Sequence, residues 1–277
     1  MKTKLLTFAF ILISPVLFSQ TNTFSYKTKN GNEIILLSEG QHQGQADILI
    51  GATPEVLHET MLDGAFPMAV NAFLVRTKTG KHILIDTGYG RELFNNLQQH
   101  NVTVDMIDAV LITHAHGDHI GGLLNEKGEK NFPNALLYLS KLEYEHYSNP
   151  ATKGSEQAIA IFDAYRDKLT LFDQQETIAE VIISLPNFGH TPGHTIFLVD
   201  EMLILGDMMH AMAVQMPYPA IAVTYDTDHK KAVETRLNVL KYIVENKLSV
   251  AGMHIPYPGM GTLAADGKGG YIFTPLR

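Results

Sequence analysis

The stretch Thr113-His114-Ala115-His116-Gly117-Asp118-His119 constrains this chain more than any other. Four side chains able to bind a metal fall within six consecutive residues, just after the apolar run Ala109–Ile112. Such a run, ending in a polar cluster, reads as a buried strand. In an extended segment His114 and His116 alternate and therefore point to the same side. Ala115 and Gly117 keep the loop compact, and the turn that follows carries Asp118 and His119 to a second position nearby. Gly121-Gly122 then permits a tight backbone turn. Imidazole nitrogen and carboxylate oxygen suit zinc, and also iron, cobalt or manganese. The chain has no cysteine, so it offers neither a thiolate ligand nor a thiol nucleophile.

Further donors follow downstream. Gly189-His190-Thr191-Pro192-Gly193-His194 is a turn with His190 and His194 at its ends. Asp207 follows the apolar run Met202–Leu205 and Gly206, His210 lies three residues on, and His254 follows Ser249–Gly252. Taken singly, these read as an ordinary turn histidine, a loop aspartate or a surface histidine. Together they place polar groups just beyond apolar strands, a geometry that gathers them around a common cleft. A single carboxylate at Asp207 is placed to bridge two metals.

The rest of the chain alternates short strands with amphipathic helices, so an α/β (α+β) fold is expected. Strands are read at Ile34–Leu37, Ile48–Gly51, Asn71–Thr77, His82–Asp86, Leu136–Leu139, Val181–Leu185 and Thr195–Val199. Helices are read at Arg91–His100, Lys141–His146, Glu156–Tyr165 and Lys230–Asn246, the last with a stripe of Val233, Leu237, Leu240, Tyr242 and Ile243. The segment Gly64–Met68 precedes the first clear strand of the centre and reads as a lid. No low-complexity linker divides the chain, so residues 21–277 are expected to form one domain. Residues 1–20 read as a signal peptide, with Lys2 and Lys4 before the apolar run Leu5–Phe18. Export, periplasmic or secreted, follows from that reading, with no stable membrane span in the mature form. The balance of 21 Lys+Arg against 29 Asp+Glu gives −8. With no basic run, a nucleic-acid partner is excluded. A small-molecule substrate is expected, and a homodimer is compatible with the chain.

His-x-His-x-Asp-His, then a Gly-His turn, then Gly-Asp after a strand, then a late histidine, resembles the metallo-β-lactamase superfamily from about Asn71 to Pro275. The resemblance implies a four-layer αββα sandwich and a dinuclear centre, two divalent ions with zinc expected. His114, His116 and His190 would hold one ion; Asp118, His119 and His254 the other; Asp207 would lie between them. Asp86, in Asp86-Thr87-Gly88, matches a structural aspartate, and His194 becomes a supporting residue behind the ligands. His119 together with Asp207 argues against a true β-lactamase. The stretches from Gly206 to Gln215, Tyr225 to Asp228 and His254 to Gly259 are similar to the methyl parathion hydrolase branch, which includes lactonase-like enzymes. That branch often continues to Gly-x-Gly-His, whereas this chain reads Gly259-Met260-Gly261-Thr262. The implied activity is hydrolysis of an ester-type bond by metal-activated water, with a lactone such as an N-acyl homoserine lactone as substrate. Asp118 and Asp207 are the candidates to accept or relay a proton. Phe66, Met68, Met208, Met209, His210, Met216 and Tyr257 are the candidate substrate contacts. Three other readings stand beside this one: an organophosphate triester hydrolase, a mononuclear-iron persulfide dioxygenase and a non-catalytic metal binder.

Overall fold

A computed structural model describes residues 23–277. The segment read as a signal peptide lies outside the described residues. Strands β1 (Thr23–Lys27), β2 (Glu33–Gly44), β3 (Leu49–Ile50), β4 (Phe66–Arg76), β5 (His82–Ile85), β6 (Ala109–Leu111), β7 (Leu136–Ser140) and β8 (Leu169–Phe172) come first. Among them run helices α1 (Pro54–Thr60), α2 (Leu93–Gln99), α3 (Gly117–Ile120), α4 (Lys141–Tyr147) and α5 (Ser155–Ala164). Then follow β9 (Thr177–Ile178), β10 (Ile182–Pro186), β11 (Thr195–Val199), β12 (Met202–Ile204), β13 (Ala222–Val223), β14 (Ser249–Ala251), β15 (Met260–Ala265) and β16 (Tyr271–Pro275). Helices α6 (Met212–Gln215) and α7 (His229–Asn246) belong to this half.

Two seven-stranded sheets result, ordered β1-β2-β4-β5-β6-β7-β8 and β16-β15-β14-β12-β11-β10-β9. Strands β5 to β8 are parallel, as are β12 and β14. Parallel neighbours need crossovers, and the connections that supply them carry α2, α3, α4, α5 and α7.

The layering follows from alternation along strands apolar on both faces. Ile34, Leu36, Phe73, Val75, Ile83 and Ile85 of the first sheet meet Phe197, Val199, Met202, Ile204 and Ala251 of the second in one buried cluster. Their neighbours Ile35, Leu37, Leu74, Leu84 and Val110 face outward onto α2 and α5. On the other side Ile196, Leu203 and Val250 pack against Leu240 and Ile243 of α7. This is the αββα sandwich.

Several expectations change in detail. Gly64–Met68 is not a lid: Phe66 and Met68 belong to β4 and pair with Gly44 and His42 of β2. Both are buried in a cluster with Met61, Val214 and Ile221. Apolar side chains that extend a sheet are held by its ladder, so the segment cannot swing. In α7 the buried face is Ala232, Arg236, Leu240 and Ile243, while Leu237 and Tyr242 are 39% and 42% exposed. The stripe is centred about one residue earlier than the apolar pattern indicates, because its middle position is an arginine. Strands β1, β8, β15 and β16 carry mixed burial and give no clean alternation from which to read them. No helix among the described residues is long and apolar enough to cross a membrane.

Candidate metal centre

The site lies where strands of both sheets end. β6 delivers Thr113 and His114, and His116 is still extended (φ −74°, ψ 154°) before the single turn α3 carries Asp118 and His119. The β10–β11 turn delivers His190, while β12 and β14 deliver Asp207 and His254. Gly206 is required at its position: its φ is +53°, and a Cβ there would lie 2.5 Å from His194 Nε2.

The donors converge as two groups. His114, His116, His190 and Asp207 form one; Asp118, His119 and His254 form another. A third combination is Asp207, His210 and His254. Within the first group His114 Nε2 lies 3.0 Å from His116 Nδ1 and 3.2 Å from His190 Nε2, and His116 Nδ1 lies 3.0 Å from His190 Nε2. Asp207 stands between the groups. Its Oδ2 is 3.3 Å from His190 Nε2 and 3.6 Å from His114 Nε2, and its Oδ1 is 3.1 Å from both His119 Nε2 and His254 Nε2. Asp118 lies 3.6 Å from His254 and 3.7 Å from His119.

This arrangement fits a metal better than it fits internal hydrogen bonding. Three imidazoles brought ring nitrogen to ring nitrogen cannot all pair donor with acceptor. His119 Nε2 and Asp207 Oδ1 are buried without a hydrogen bond, an arrangement that is costly unless something else satisfies them. Zinc–nitrogen bonds of about 2.0–2.1 Å at tetrahedral angles would set ligand nitrogens roughly 3.3 Å apart, close to the spacing of the first group.

The outer ring atoms are tied down so that the inner ones face the cluster. His254 Nδ1 donates to the Ala69 carbonyl at 2.8 Å, which leaves Nε2 as the free lone pair. His119 Nδ1 meets Asp86 at 2.7 Å, and Asp86 also accepts from the Thr113 N–H and hydroxyl at 2.8 and 2.7 Å. His190 Nδ1 meets Asp226 at 3.0 Å. Such contacts fix ring orientation and raise ligand basicity. His194 is turned elsewhere: its Nδ1 donates to the Asn187 carbonyl and its Nε2 accepts the Asp207 N–H at 2.9 Å.

Electrostatics follow the same plan. Burial, helped by His119, holds His114 well below the ordinary imidazole range, and burial with His190 brings His116 down to about 3. Burial opposes charge at His119 and His190 too. There the carboxylates win: Asp207, Asp118 and Asp86 raise His119 well above its usual value, while Asp207 and Asp226 raise His190 to about 9. Burial would raise Asp207, yet the surrounding imidazoles hold it well below the carboxylate range. The pocket stabilises a buried anion among histidines, the charge pattern that cations complete.

Asp207, His116 and Asp118 open into a cleft of about 700 Å³. Tyr89, His146, Tyr147, Lys153, Tyr225 and Thr227 are among its walls. Of the seven candidate substrate contacts, His210 lines this cleft, with Nε2 2.9 Å from Asp207 Oδ2. Met208, Met209 and Met216 are buried in the cluster under α7 and Phe66 and Met68 in that beside α6. Tyr257 is 47% exposed, edge-on to Phe24. The five buried side chains pack the scaffold, Phe66 and Met68 from within β4 and the three methionines from the segments that follow β12 and α6. The actual walls come from loop tyrosines, a lysine and threonines that no apolar pattern marks. Asp226, Glu143 and Arg236, which support the cluster, carry no assigned role in the sequence reading. Asp226 stands in the recognisable stretch Tyr225–Asp228, whereas nothing in the sequence marks the other two.

The two turn histidines can be separated by experiment. His190→Ala is expected to lower zinc affinity at least about 10-fold more than His194→Ala. The latter removes a supporting ring bonded to the Asp207 N–H and the Asn187 carbonyl and not a member of either donor group. Chelator competition measures this, and equal losses would mean that His194 reaches the metal.

Residues 65–245 match the profile of the Metallo-beta-lactamase superfamily. The chain is 29% identical over 138 residues to "Hydroxyacylglutathione hydrolase 2" of Vibrio vulnificus (strain YJ016), covering 50% of this chain and 46% of that protein. It thus spans about half the length of the curated relatives it matches. Among solved structures it resembles AidC, a dizinc quorum-quenching lactonase in complex with a product, with TM-score 0.83, 25% identity and coverage of 93% and 99% of the two chains. It also resembles the hydrolase AbOPH of the beta lactamase superfamily, with TM-score 0.81, 27% identity and coverage of 93% and 98%.

Proposed function

Because the chain belongs to the metallo-beta-lactamase superfamily, we propose that it is a metal-dependent hydrolase of ester-type bonds, with a lactone, such as an N-acyl homoserine lactone, as its substrate. The observation that carries this is the pair of donor groups joined through Asp207. The likeness to a dizinc lactonase over nearly the whole of both chains supports the lactone. His114, His116 and His190 would hold one divalent cation, Asp118, His119 and His254 a second, and Asp207 would serve both, zinc being the expected metal. Bound there, the cations supply Lewis acidity, which activates water and polarises the oxygen of an ester carbonyl.

The protein's own groups do the rest. Asp86 and Asp226 keep His119 and His190 oriented. The Ala69 carbonyl fixes the tautomer of His254. Asp118 is 22% exposed on the cleft wall, while Asp207 is 2% exposed. Asp118 is therefore the better placed of the two to pass a proton from attacking water to solvent or leaving alkoxide. Tyr89 and Tyr225, 47% and 50% exposed, offer flat apolar faces at the cleft mouth, suited to an acyl chain. The test is turnover of the zinc-loaded protein on an acyl homoserine lactone, an aryl ester, a phosphotriester and a β-lactam. The lactone is expected to give the highest kcat/KM. A phosphotriester preferred by tenfold or more would sink the lactone assignment.

A further inference from the structure

Glu143 is a fully buried carboxylate that the chemistry above does not use. It sits on α4, behind the cluster rather than in it. One oxygen accepts the Ala115 N–H at 2.9 Å; the other accepts the Thr191 hydroxyl at 2.7 Å and the Gly193 N–H at 3.0 Å. Ala115 lies between His114 and His116, while Thr191 and Gly193 belong to the turn that bears His190. One side chain therefore ties together the two loops that supply the three histidines of the first donor group.

The same helix end grips the turn twice more. Ser140 caps α4 by accepting the Glu143 N–H, and its hydroxyl donates to the Gly193 carbonyl at 2.8 Å. A Cβ on Gly193 would lie 2.2 Å from the Glu143 nitrogen, so the turn rests directly on the helix. One turn along α4, on the same face, Tyr147 sets its ring edge-on to His116, 6.1 Å between centroids. This support matters because His116 differs from its partners. The rings of His119, His190 and His254 are each held by a hydrogen bond to the outer nitrogen. No described residue hydrogen-bonds the outer nitrogen of His116; the Tyr147 ring against it and the Glu143 grip on the neighbouring Ala115 N–H, both from α4, hold it instead.

The chemistry of the contact calls for a carboxylate. Three donors converge on it, and only an acceptor-only group satisfies all three; an amide would turn its NH2 toward a donor. Hydrogen bonds to an ionised acceptor are also roughly twice as strong as neutral ones, which offsets part of the cost of burial, although burial still raises the Glu143 pKa on balance.

We infer that Glu143 is the positioning residue of the first metal pocket, locking the His114–His116 loop and the His190 turn at the spacing a shared cation needs. The inference rests on the reading of the cluster as a metal centre. Glu143→Gln keeps the shape and loses one acceptor. Thr191→Val keeps the shape and removes one donor.

The experiment titrates zinc alone into the metal-free full chain against a chromophoric chelator, with cobalt absorption spectra alongside. Glu143→Gln is expected to weaken one of the two ions 10- to 100-fold and leave the other unchanged, with an altered cobalt spectrum for the weakened ion. Thr191→Val should weaken the same ion by a smaller factor. Wild-type affinities for both ions in a folded Glu143→Gln protein overturn the inference, as does equal weakening of both. Should that variant not fold, wild-type affinities in Thr191→Val overturn it. A wild-type chain that binds no zinc overturns the metal-centre reading and this inference with it, whereas two bound ions with unchanged variants overturn this inference alone.

Discussion

Replacing Asp207 by alanine is expected to lower kcat/KM by about a thousand-fold or more, some 4 kcal/mol of transition-state stabilisation. The reason is the number of groups that share this one carboxylate. His114, His119, His190, His210 and His254 all lie within 3.6 Å of it. It is 2% exposed, and a neutral water entering from the cleft in its place would not restore its charge. Removing it takes a negative charge from a site proposed to hold cations and leaves the two donor groups without their common member. Metal content should fall with activity, by at least one ion per chain. Asp207→Asn, which keeps the volume and the inward oxygen but not the charge, should fall between alanine and wild type. An alanine variant that keeps two metals and full turnover would show that Asp207 does not join the groups.

The second large effect is on stability. Arg236 is 1% exposed. Its Nε donates to the Met208 carbonyl at 2.7 Å, and one terminal nitrogen donates to the carbonyls of Ile221 and Pro219 at 2.7 and 3.0 Å. The other faces Asp226 at 4.0 Å, the carboxylate that orients His190. Burial lowers its pKa to about 10, against the pull of Asp226, which leaves it charged at neutral pH. Arg236→Met therefore strands the Met208 and Pro219 carbonyls, leaves the Ile221 carbonyl to Gln215 Nε2 alone, and takes the nearby cation from the buried Asp226. Breaking such a pair from one side costs about 3–5 kcal/mol, to be read as a lower urea midpoint with an unchanged slope. Removing Asp226 as well, as Asn, should recover part of the loss, because the two charges then vanish together. An unfolding free energy within about 0.5 kcal/mol of wild type would show that the cation carries little of the load.

These two residues mark how far the sequence was legible. Asp207 was readable because a carboxylate after an apolar strand and a glycine stands out, as does the cluster from His114 to His119. The alternation of strands and helices was readable too, since strands buried on both faces appear as continuous apolar runs such as Ile34–Leu37, while the four-layer order followed only from the family resemblance. Arg236 was not readable. An arginine in a helix looks like a solvated face, and only the fold places loop carbonyls and Asp226 around it. Glu143 is hidden for the same reason: its three donors come from segments 28 and about 50 residues away in sequence. The cleft walls were misjudged in the same direction. Methionines near Asp207 suggested an apolar pocket, but they satisfy the core beneath α7, and polar loop residues face the cleft. Apolarity in a sequence signals burial, and burial in the scaffold competes with any role in a pocket.

The most direct test of the account is elemental analysis of the purified chain for bound metal. About two divalent ions per chain, most of them zinc, are predicted, with loss of both the metal and the lactone turnover on chelation and recovery of both on adding zinc back. A chain that binds no ion, or one iron with no hydrolysis of any ester, would contradict it.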